Sequence, residues 1–343
     1  MHPRSPSHAG TLYGCAVASV DPAEAATPIA VPACPVCGTS RAVPRLAIEG
    51  LAARLVACTG CDTGRLHPMP SAAQVAAFYP AQYYGDLGAK FRGPIELLVR
   101  AVGARHVRFL SRGLPDGARV LDVGCGRGVV LSALARRGFE AHGVELSEAA
   151  AHGADPRAHI RIAPDLATAR YPGGWFDGAI VWHVLEHLRD PRGTLEELRR
   201  LLRPGGRLVV AVPNSSSLQA RWAGAAWFHL DLPRHLFHFP LAALRRLVED
   251  AGFEIRSEHH FSLRQNPFGW IQSWQNRRPD LPRNGLYTLM SRRGPHDPRP
   301  YDAATRRALL TGLLLGAAPA LALTLAETAL RSGATVHLVA HRR

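Results

Sequence analysis

Two pairs of cysteines give the sequence its clearest metal-binding pattern. Cys34 and Cys37 form one C-x2-C pair, and Cys58 and Cys61 form a second pair after 20 intervening residues. Four thiolates with this spacing are typical of a tetrahedral zinc site. Because four sulfur ligands close the coordination shell, the pattern predicts a structural zinc ion, with iron or a dithiol–disulfide pair as the alternatives.

A glycine-rich turn indicates a ligand site. Residues 120–123 are an apolar segment that predicts a strand, and Gly124, Gly126 and Gly128 follow it before a predicted helix. Glycines at such a turn let the backbone approach a ligand that a Cβ atom would exclude. Glu145 ends the next predicted strand, where a carboxylate can bind two ribose hydroxyls. Since the spacing is not G-x-G-x-x-G, the turn favours a nucleoside over a dinucleotide.

Histidines supply the candidate proton acceptors. His183 and His187 are four residues apart after the fourth predicted strand, where a turn of helix would bring both rings to one side. The pKa of an imidazole lies near neutrality, which suits removal of a proton from a nucleophile. We therefore take His187 as the first candidate for a general base. The alternative is that this ring only makes a hydrogen bond or caps a helix.

A lid segment, residues 227–239, follows the fifth predicted strand and holds four aromatic residues and three histidines. Loops at the carboxyl ends of parallel strands carry ligand sites, so this segment is predicted to cover the acceptor. His235 within it is a competing general base. Arg234 beside it is predicted to pair either with an acidic group of the substrate or with Glu186.

These motifs resemble those of class I S-adenosylmethionine-dependent methyltransferases. The resemblance covers about residues 118–260 and rests on four segments in order: 122–128, 145–147, 176–188 and 201–206. It implies that S-adenosylmethionine is bound by Asp122, Gly124, Cys125, Gly126, Gly128, Glu145, Leu146, Asp165, His183 and Tyr83. Asp165 is the loosest match, and a solvated loop residue is the alternative. For Tyr83, which lies in a segment resembling a leader of the same subfamily, the alternative is aromatic packing between domains.

The elements that must position these residues alternate along the chain. We predict strands at residues 119–123, 140–145, 159–163, 176–182, 206–212, 253–260 and 335–340, and helices at 129–137, 148–151, 191–202 and 241–251. This alternation is typical of a doubly wound α/β fold. The predicted fold class is a mostly parallel, Rossmann-like sheet of seven strands, preceded by a small zinc-ribbon-like module. The resemblance implies that the last strand is antiparallel beside the sixth.

The sequence also predicts four regions along the chain. Residues 1–31 lack an apolar signal-peptide core and are interpreted as a disordered leader. Residues 32–70 form the four-cysteine module and residues 71–117 a helical connector. The methyltransferase domain occupies residues 118–343, with an apolar helical insertion at about 262–332. A cysteine-rich metal site in a sequence without a signal-peptide pattern favours a location in the reducing cytoplasm.

Residues 308–326 form an uncharged stretch of 19 residues behind Arg306 and Arg307. It is long enough to span a membrane, but it lies between two predicted strands of one sheet, which a span would place on opposite sides of the bilayer. Besides a membrane span, the interpretations are a helix on a membrane surface or over an acceptor tail, and a helix buried in a dimer or in the core. The oligomeric state is not predicted.

The net charge of +14 does not favour a nucleic-acid partner. Lys90 is the one lysine among 41 basic residues, and the arginines are dispersed without a run of five or six. We predict methyl transfer to a small-molecule or lipid-linked acceptor, by O- or C-methylation of a sugar, polyketide or quinol-like compound, in a cytoplasmic protein with peripheral membrane contact through residues 308–326. The alternatives are an RNA-modifying methyltransferase and a non-catalytic cofactor-binding protein.

Overall fold

The structure is a computed structural model that describes residues 17–79, 107–151, 155–291 and 301–343. Its strands β1 to β13, in chain order, are Val17–Ser19, Ile29–Ala30, Arg41–Ile48, Arg54–Cys58, Gly64–His67, Arg119–Val123, Glu140–Glu145, His159–Ile162, Phe176–Trp182, Leu202–Pro213, Phe237–His238, Phe253–His259 and Thr335–Arg342. The described helices α1 to α10 are Pro22–Ala26, Ala72–Ala77, Val129–Ala135, Glu148–Ala151, Pro191–Leu201, Leu218–Ala223, Leu241–Asp250, Asn266–Asn276, Gly285–Met290 and Ala303–Ala329. Short 3-10 helices lie at Leu185–His187, Gly224–Ala226 and Phe228–Leu230.

The larger sheet has seven strands in the order β12-β13-β10-β9-β6-β7-β8. Strand β13 is antiparallel to both of its neighbours, whereas β10, β9, β6, β7 and β8 pair in parallel. The central strands β9 and β10 are buried along most of their length because helices cover both faces of a sheet of this kind. The predicted fold class is confirmed, including the antiparallel last strand beside the sixth.

The predicted boundaries agree with the structure to within a few residues at most elements. The largest difference is in the fifth strand of the large sheet, β10, which begins at Leu202 rather than at residue 206. Leu202 pairs with Phe176 before the register shifts ahead of Arg207. The glycines at 205 and 206 lie within this irregularity, and their sequence signal is that of a turn.

The smaller sheet corrects the prediction of a disordered leader up to residue 31. Strand β1 pairs with residues Leu46 to Ile48 of β3, and β2 pairs with the beginning of the same strand. Between them α1 begins after Asp21, whose carboxylate accepts a hydrogen bond from the Ala23 amide at 2.8 Å, with Pro22 in the first turn. This cap and the pairing with β3 order the chain from residue 17. Residues 1–16 lie outside the described residues.

The smaller sheet also receives a strand from the lid segment. Strand β11 pairs antiparallel with β5, and the Leu66 amide donates to the Leu236 carbonyl oxygen at 3.0 Å. On another side, the Arg192 guanidinium on α5 donates to the carbonyl oxygens of Pro35 and Val36 at 2.5 and 3.2 Å. The four-cysteine module is therefore joined to the large sheet through two contacts that are distant in sequence.

The connector is described only in part. Ser71 caps α2, and its side chain and that of Gln74 form a reciprocal capping box. Tyr83 and residues 80–106 of the predicted helical connector lie outside the described residues. The domain boundaries themselves stay a prediction.

Candidate functional site

The glycine turn follows β6 at the carboxyl edge of the large sheet. Gly124, Gly126 and Gly128 all have positive φ, at 67°, 50° and 66°. A Cβ atom on Gly124 would lie 2.6 Å from a methyl carbon of Val184, so the turn packs directly against the residues that follow β9. A Cβ on Gly126 would meet nothing within 4 Å, which leaves that side of the turn open to a ligand.

Two carboxyl groups lie at this turn. Both oxygens of Glu145 accept backbone hydrogen bonds at 2.7 Å, one from Gly126 and one from Leu146. Asp122 at the end of β6 is buried, and burial together with Glu145 raises the pKa of its carboxyl group to about 8. A cation bound beside such a carboxyl group favours its ionised form and lowers its pKa again. S-Adenosylmethionine carries an ammonium and a sulfonium, so the acidic pair fits this cofactor.

The other predicted cofactor residues differ in what they present to the crevice. Leu146 is 48% exposed beside Glu145, as expected for an apolar surface that packs on a base. The Cys125 side chain is buried in the core, where its Sγ would lie 2.7 Å from a Cβ atom on Gly143, so the backbone of Cys125 is what faces the turn. Asp165 is exposed and accepts a hydrogen bond from the Thr168 amide at 2.7 Å.

The chain beyond β9 holds His183 and Glu186 together. His183 has a φ of 53°, and its Nδ1 lies 3.3 Å from a carboxylate oxygen of Glu186. Burial lowers the pKa of His183 to about 3 and raises the pKa of the Glu186 carboxyl group to about 7. The second oxygen of Glu186 and the Nε2 of His183 are buried without a hydrogen-bond partner among the described residues. These polar atoms are available to a ligand.

His187 is held by contacts to its Nδ1 atom. This nitrogen lies 3.0 Å from the carbonyl oxygen of Arg234 and 2.7 Å from the hydroxyl oxygen of Tyr79. Because a carbonyl oxygen only accepts, Nδ1 carries the proton and Nε2 carries a lone pair. Burial lowers the pKa of the ring and favours this neutral form.

His235 in the lid segment is held in the same tautomer. Its Nδ1 donates to the carbonyl oxygen of His229 at 2.8 Å, so its Nε2 also carries a lone pair. The rings of His187 and His235 meet edge to face with centroids 4.6 Å apart. Burial lowers the pKa of His235 well below its usual value. The two candidate bases, predicted from separate motifs, thus occupy one site.

Arg234 and Asp231 complete the cluster. The guanidinium of Arg234 binds both carboxylate oxygens of Asp231, so within the protein it pairs with this residue rather than with Glu186. Arg234 and its neighbours keep the pKa of Asp231 well below its usual value. Asp231 Oδ2 and Glu186 Oε1 lie 3.8 and 3.9 Å from the Nε2 of His235. Sequence reasoning overlooked Asp231, although its position three residues before Arg234 was a usable signal.

Two groups of described residues can hold a cation. Glu186, His187 and His235 each offer one ligand atom, and these atoms lie within 4.8 Å of one another. The four predicted cysteine ligands form the other group. In it the sulfur atoms of Cys34 and Cys61 are 3.7 Å apart and those of Cys37 and Cys58 are 3.4 Å apart. A tetrahedral zinc–thiolate site requires sulfur atoms about 3.8 Å apart, so the donor set fits zinc.

The fold and the site together define an α/β protein with a nucleoside crevice at the carboxyl edge of its sheet. Comparison with known proteins identifies the class of enzyme. A family model described as a methyltransferase domain matches residues 97–258. A ubiquinone biosynthesis O-methyltransferase of Xylella fastidiosa is 30% identical over 219 residues, which cover 58% of this chain and 84% of that protein. The chain therefore belongs to the class I S-adenosylmethionine-dependent methyltransferases.

Other relatives match over a shorter length. The ubiquinone biosynthesis O-methyltransferase of Xanthomonas oryzae is 33% identical over 134 residues, or 36% of this chain, and the chain spans 55% of that relative's length. Among solved structures, the [4+2]-cyclase SpnF superposes with a TM-score of 0.50 at 17% identity, covering 80% of this chain and 97% of that one. This likeness shows the fold alone.

Proposed function

We propose that the protein transfers the methyl group of S-adenosylmethionine to a hydroxyl oxygen of a small or lipid-linked acceptor. The observation that carries this proposal is the edge-to-face contact of the His187 and His235 rings beyond β9, with centroids 4.6 Å apart and both Nδ1 atoms held by backbone carbonyl oxygens. The cofactor, when bound, supplies a methyl carbon attached to a sulfonium leaving group. The acceptor oxygen bonds to this carbon as the carbon–sulfur bond breaks, and the hydroxyl proton passes to an imidazole.

The relatives named as ubiquinone biosynthesis O-methyltransferases support a hydroxyl acceptor of the quinol type. The proton acceptor we assign is Nε2 of His187, because this ring is half-buried whereas His235 is 7% exposed. His235 packs against the edge of His187 and positions it. Both rings are neutral at pH 7 because burial lowers their pKa values, so each can accept a proton.

The test measures turnover and cofactor affinity separately, with labelled S-adenosylmethionine, a panel of catechols and quinols, and calorimetry. His187→Ala is expected to lower turnover by about 100-fold or more, while cofactor affinity changes little. His259→Ala, an exposed histidine on β12, is the matched control and should leave both values unchanged. Equal loss of affinity and turnover in His187→Ala would assign this ring to cofactor binding. If the unsubstituted protein binds the cofactor but shows no turnover on any acceptor, it is a binding protein and the proposed methyl transfer is wrong.

For the four-cysteine module we propose a structural zinc ion and, for the whole protein, a cytoplasmic location. The location is supported by the two cysteine pairs, because a thiolate metal site of this kind is maintained in a reducing compartment. The four sulfur atoms have spacings near those of zinc–thiolate sites. Metal analysis of purified protein should give one zinc per chain, and Cys34→Ser should lose it. Iron in place of zinc would contradict the assignment.

A further inference from the structure

The long helix α10 presents an apolar face to solvent. Its leucine face consists of Leu310, Leu314, Leu315, Leu321 and Leu325, of which Leu314 is 78% exposed and Leu315 is 70% exposed. Four of these leucines, at positions 310, 314, 321 and 325, lie on one side of the helix at 3.6 residues per turn. They extend over about 22 Å at 1.5 Å per residue.

The polarity of α10 is the reverse of that of an ordinary surface helix. Its buried side carries Thr324 and Glu327, which pack within the protein. From Leu310 to Ala326, the exposed positions are Leu, Ala or Pro, with Thr311 the single polar residue. A helix on the surface of a soluble protein normally exposes its polar face. A contiguous exposed apolar surface on a folded protein marks a site that contacts another molecule or a membrane.

Among the described residues, the contacts that hold α10 come from the side that faces α8. A Cβ atom on Gly312 would lie 2.6 Å from the Gln275 amide nitrogen, and one on Gly316 would lie 3.3 Å from Ile271, so both glycines pack against α8. Gln275 also donates to the Leu309 carbonyl oxygen at 2.9 Å. The leucine face is on the opposite side. The helix is long and apolar enough to cross a membrane, with 22% of its most apolar window buried. A single crossing, however, would separate β12 from β13, which pair with each other.

Aromatic and cationic groups border this region. Trp274 is 39% exposed beside Gly312, and Trp222 is 40% exposed with the Arg277 guanidinium 5.0 Å above its ring. Arg307 and Arg331 are exposed near the two ends of α10. Residues 262–333 contain 10 arginines and 4 acidic residues, a net charge of +6. Tryptophan and arginine around an apolar helix are typical of segments that lie in the interface of an anionic membrane.

We propose that the leucine face of α10 docks onto the surface of an anionic lipid bilayer. Charge complementarity favours this occupant over a second copy of the chain. Two copies meeting through the leucine face would bring together two segments of +6 in two chains of +14, with Glu327 buried and so unable to offset them. Anionic headgroups instead neutralise the arginines while the leucines enter the region below them.

The proposed docking helix α10 is joined to the candidate acceptor site through helix α8. Helix α8 packs against α10, and its Ser273 hydroxyl accepts a hydrogen bond from the Phe228 amide of the lid segment at 2.9 Å. A bilayer held at α10 would therefore lie on the side of the molecule that carries the lid. The docking proposal does not depend on the methyl transfer proposed above. If both hold, the acceptor is delivered from the membrane as a molecule with a lipid tail.

Vesicle flotation of the full chain tests the proposal. The protein should float with phosphatidylglycerol vesicles, remain unbound to phosphatidylcholine vesicles, and dissociate from the former at high salt. Leu314→Gln combined with Leu325→Gln should lower the bound fraction by about tenfold or more, because two anchoring side chains are removed. Ile162→Gln, at an exposed residue on the far edge β8, is the matched control and should float as the unchanged protein does.

Cofactor affinity and turnover on a water-soluble quinol are measured on the same proteins, so that failure of docking and failure of methyl transfer are distinguishable. The double variant should keep both values, since α10 contributes no residue to the site. Absence of vesicle binding would overturn the proposal. If light scattering also shows a dimer that the double variant loses, a second copy covers the leucine face.

Discussion

Phe237 of the lid segment lies directly opposite Arg65 of the four-cysteine module in an antiparallel pair. Two residues before Phe237, His235 contributes its ring to the candidate acceptor site. The backbone that carries this histidine is therefore fixed on one side by β5, which follows the second cysteine pair. The four-cysteine module and the lid segment, which appear separate in the sequence, are thus joined by strand pairing.

This connection predicts that metal loss impairs turnover more than cofactor binding. Cys58→Ser should loosen β5 and with it the lid segment, and a shift of about 1 Å at His235 is enough to lower turnover by roughly 100-fold. The glycine turn lies in the other sheet, so calorimetry should show cofactor affinity within a few-fold of the original. Cys15→Ser, outside both cysteine pairs, is the control. A parallel loss of affinity and turnover would mean that the module stabilises the whole chain.

Gly124 is predicted to be indispensable for cofactor binding because its positive φ coincides with a close contact to Val184. Gly124→Ala should weaken binding of S-adenosylmethionine by about 100-fold, since the added methyl group forces the turn away from Val184 and strains its backbone. Gly138 also has a positive φ, 83°, but nothing lies within 4 Å of a Cβ atom there, so calorimetry should find the affinity of Gly138→Ala unchanged. Equal effects of the two substitutions would attribute the loss to backbone strain alone.

The buried Asp122 predicts a pH-dependent cofactor affinity. Its pKa of about 8 in the cofactor-free protein means that the carboxyl group is mostly protonated at pH 7. A cationic cofactor favours the ionised form, so binding should release a proton, and affinity should rise with pH until about 8 and then level off. Calorimetry in buffers of different ionisation enthalpy measures this release. Asp122→Asn should bind more weakly and release no proton, and an unchanged proton release would assign it to another group.

The lowered pKa of the buried His238 predicts that this residue contributes to a loss of stability in acid. Burial lowers its pKa to about 4 from an ordinary value of 6.5, so below pH 6.5 the unfolded chain binds a proton that the folded chain does not. The free energy of unfolding therefore falls as the pH drops from 6.5 to 4, by about 1.4 kcal/mol per pH unit from this residue.

His238→Gln removes this contribution while a side-chain amide can still donate to the Leu230 carbonyl oxygen. Urea denaturation at pH 7, 5.5 and 4.5 should show the variant losing less stability than the original protein over this range. A constant difference between the two proteins at all three values would show that His238 does not titrate in this window.

Local patterns in the sequence were sufficient for most of the large sheet. Strands such as Phe176–Trp182 are apolar, short and flanked by clear turn signals, and the glycine turn and Glu145 follow from their positions at strand ends. The class of cofactor could also be predicted from the sequence, because the motifs that bind it are short and continuous.

The lid could not be derived in the same way. Strand β11 has two residues, and its partner β5 lies about 170 positions earlier in the chain. No local sequence pattern therefore predicts their pairing. The tautomers of His187 and His235 depend on the carbonyl oxygens of Arg234 and His229, which only the folded backbone places. Asp21 and Pro22 did carry a helix-start signal, which the Pro-, Ala- and Ser-rich composition of the leader obscured.

Strand β13 lies in the interior of the large sheet, between β10 and β12, yet it is the last of the seven to leave the ribosome. Until then β10 has an open edge along Leu208 to Val212, a run of buried apolar residues. Unpaired apolar edges invite association with other chains. We therefore expect the nascent protein to be prone to aggregation until β13 pairs with β10, and a chaperone that shields β10 during synthesis should raise the yield of folded protein.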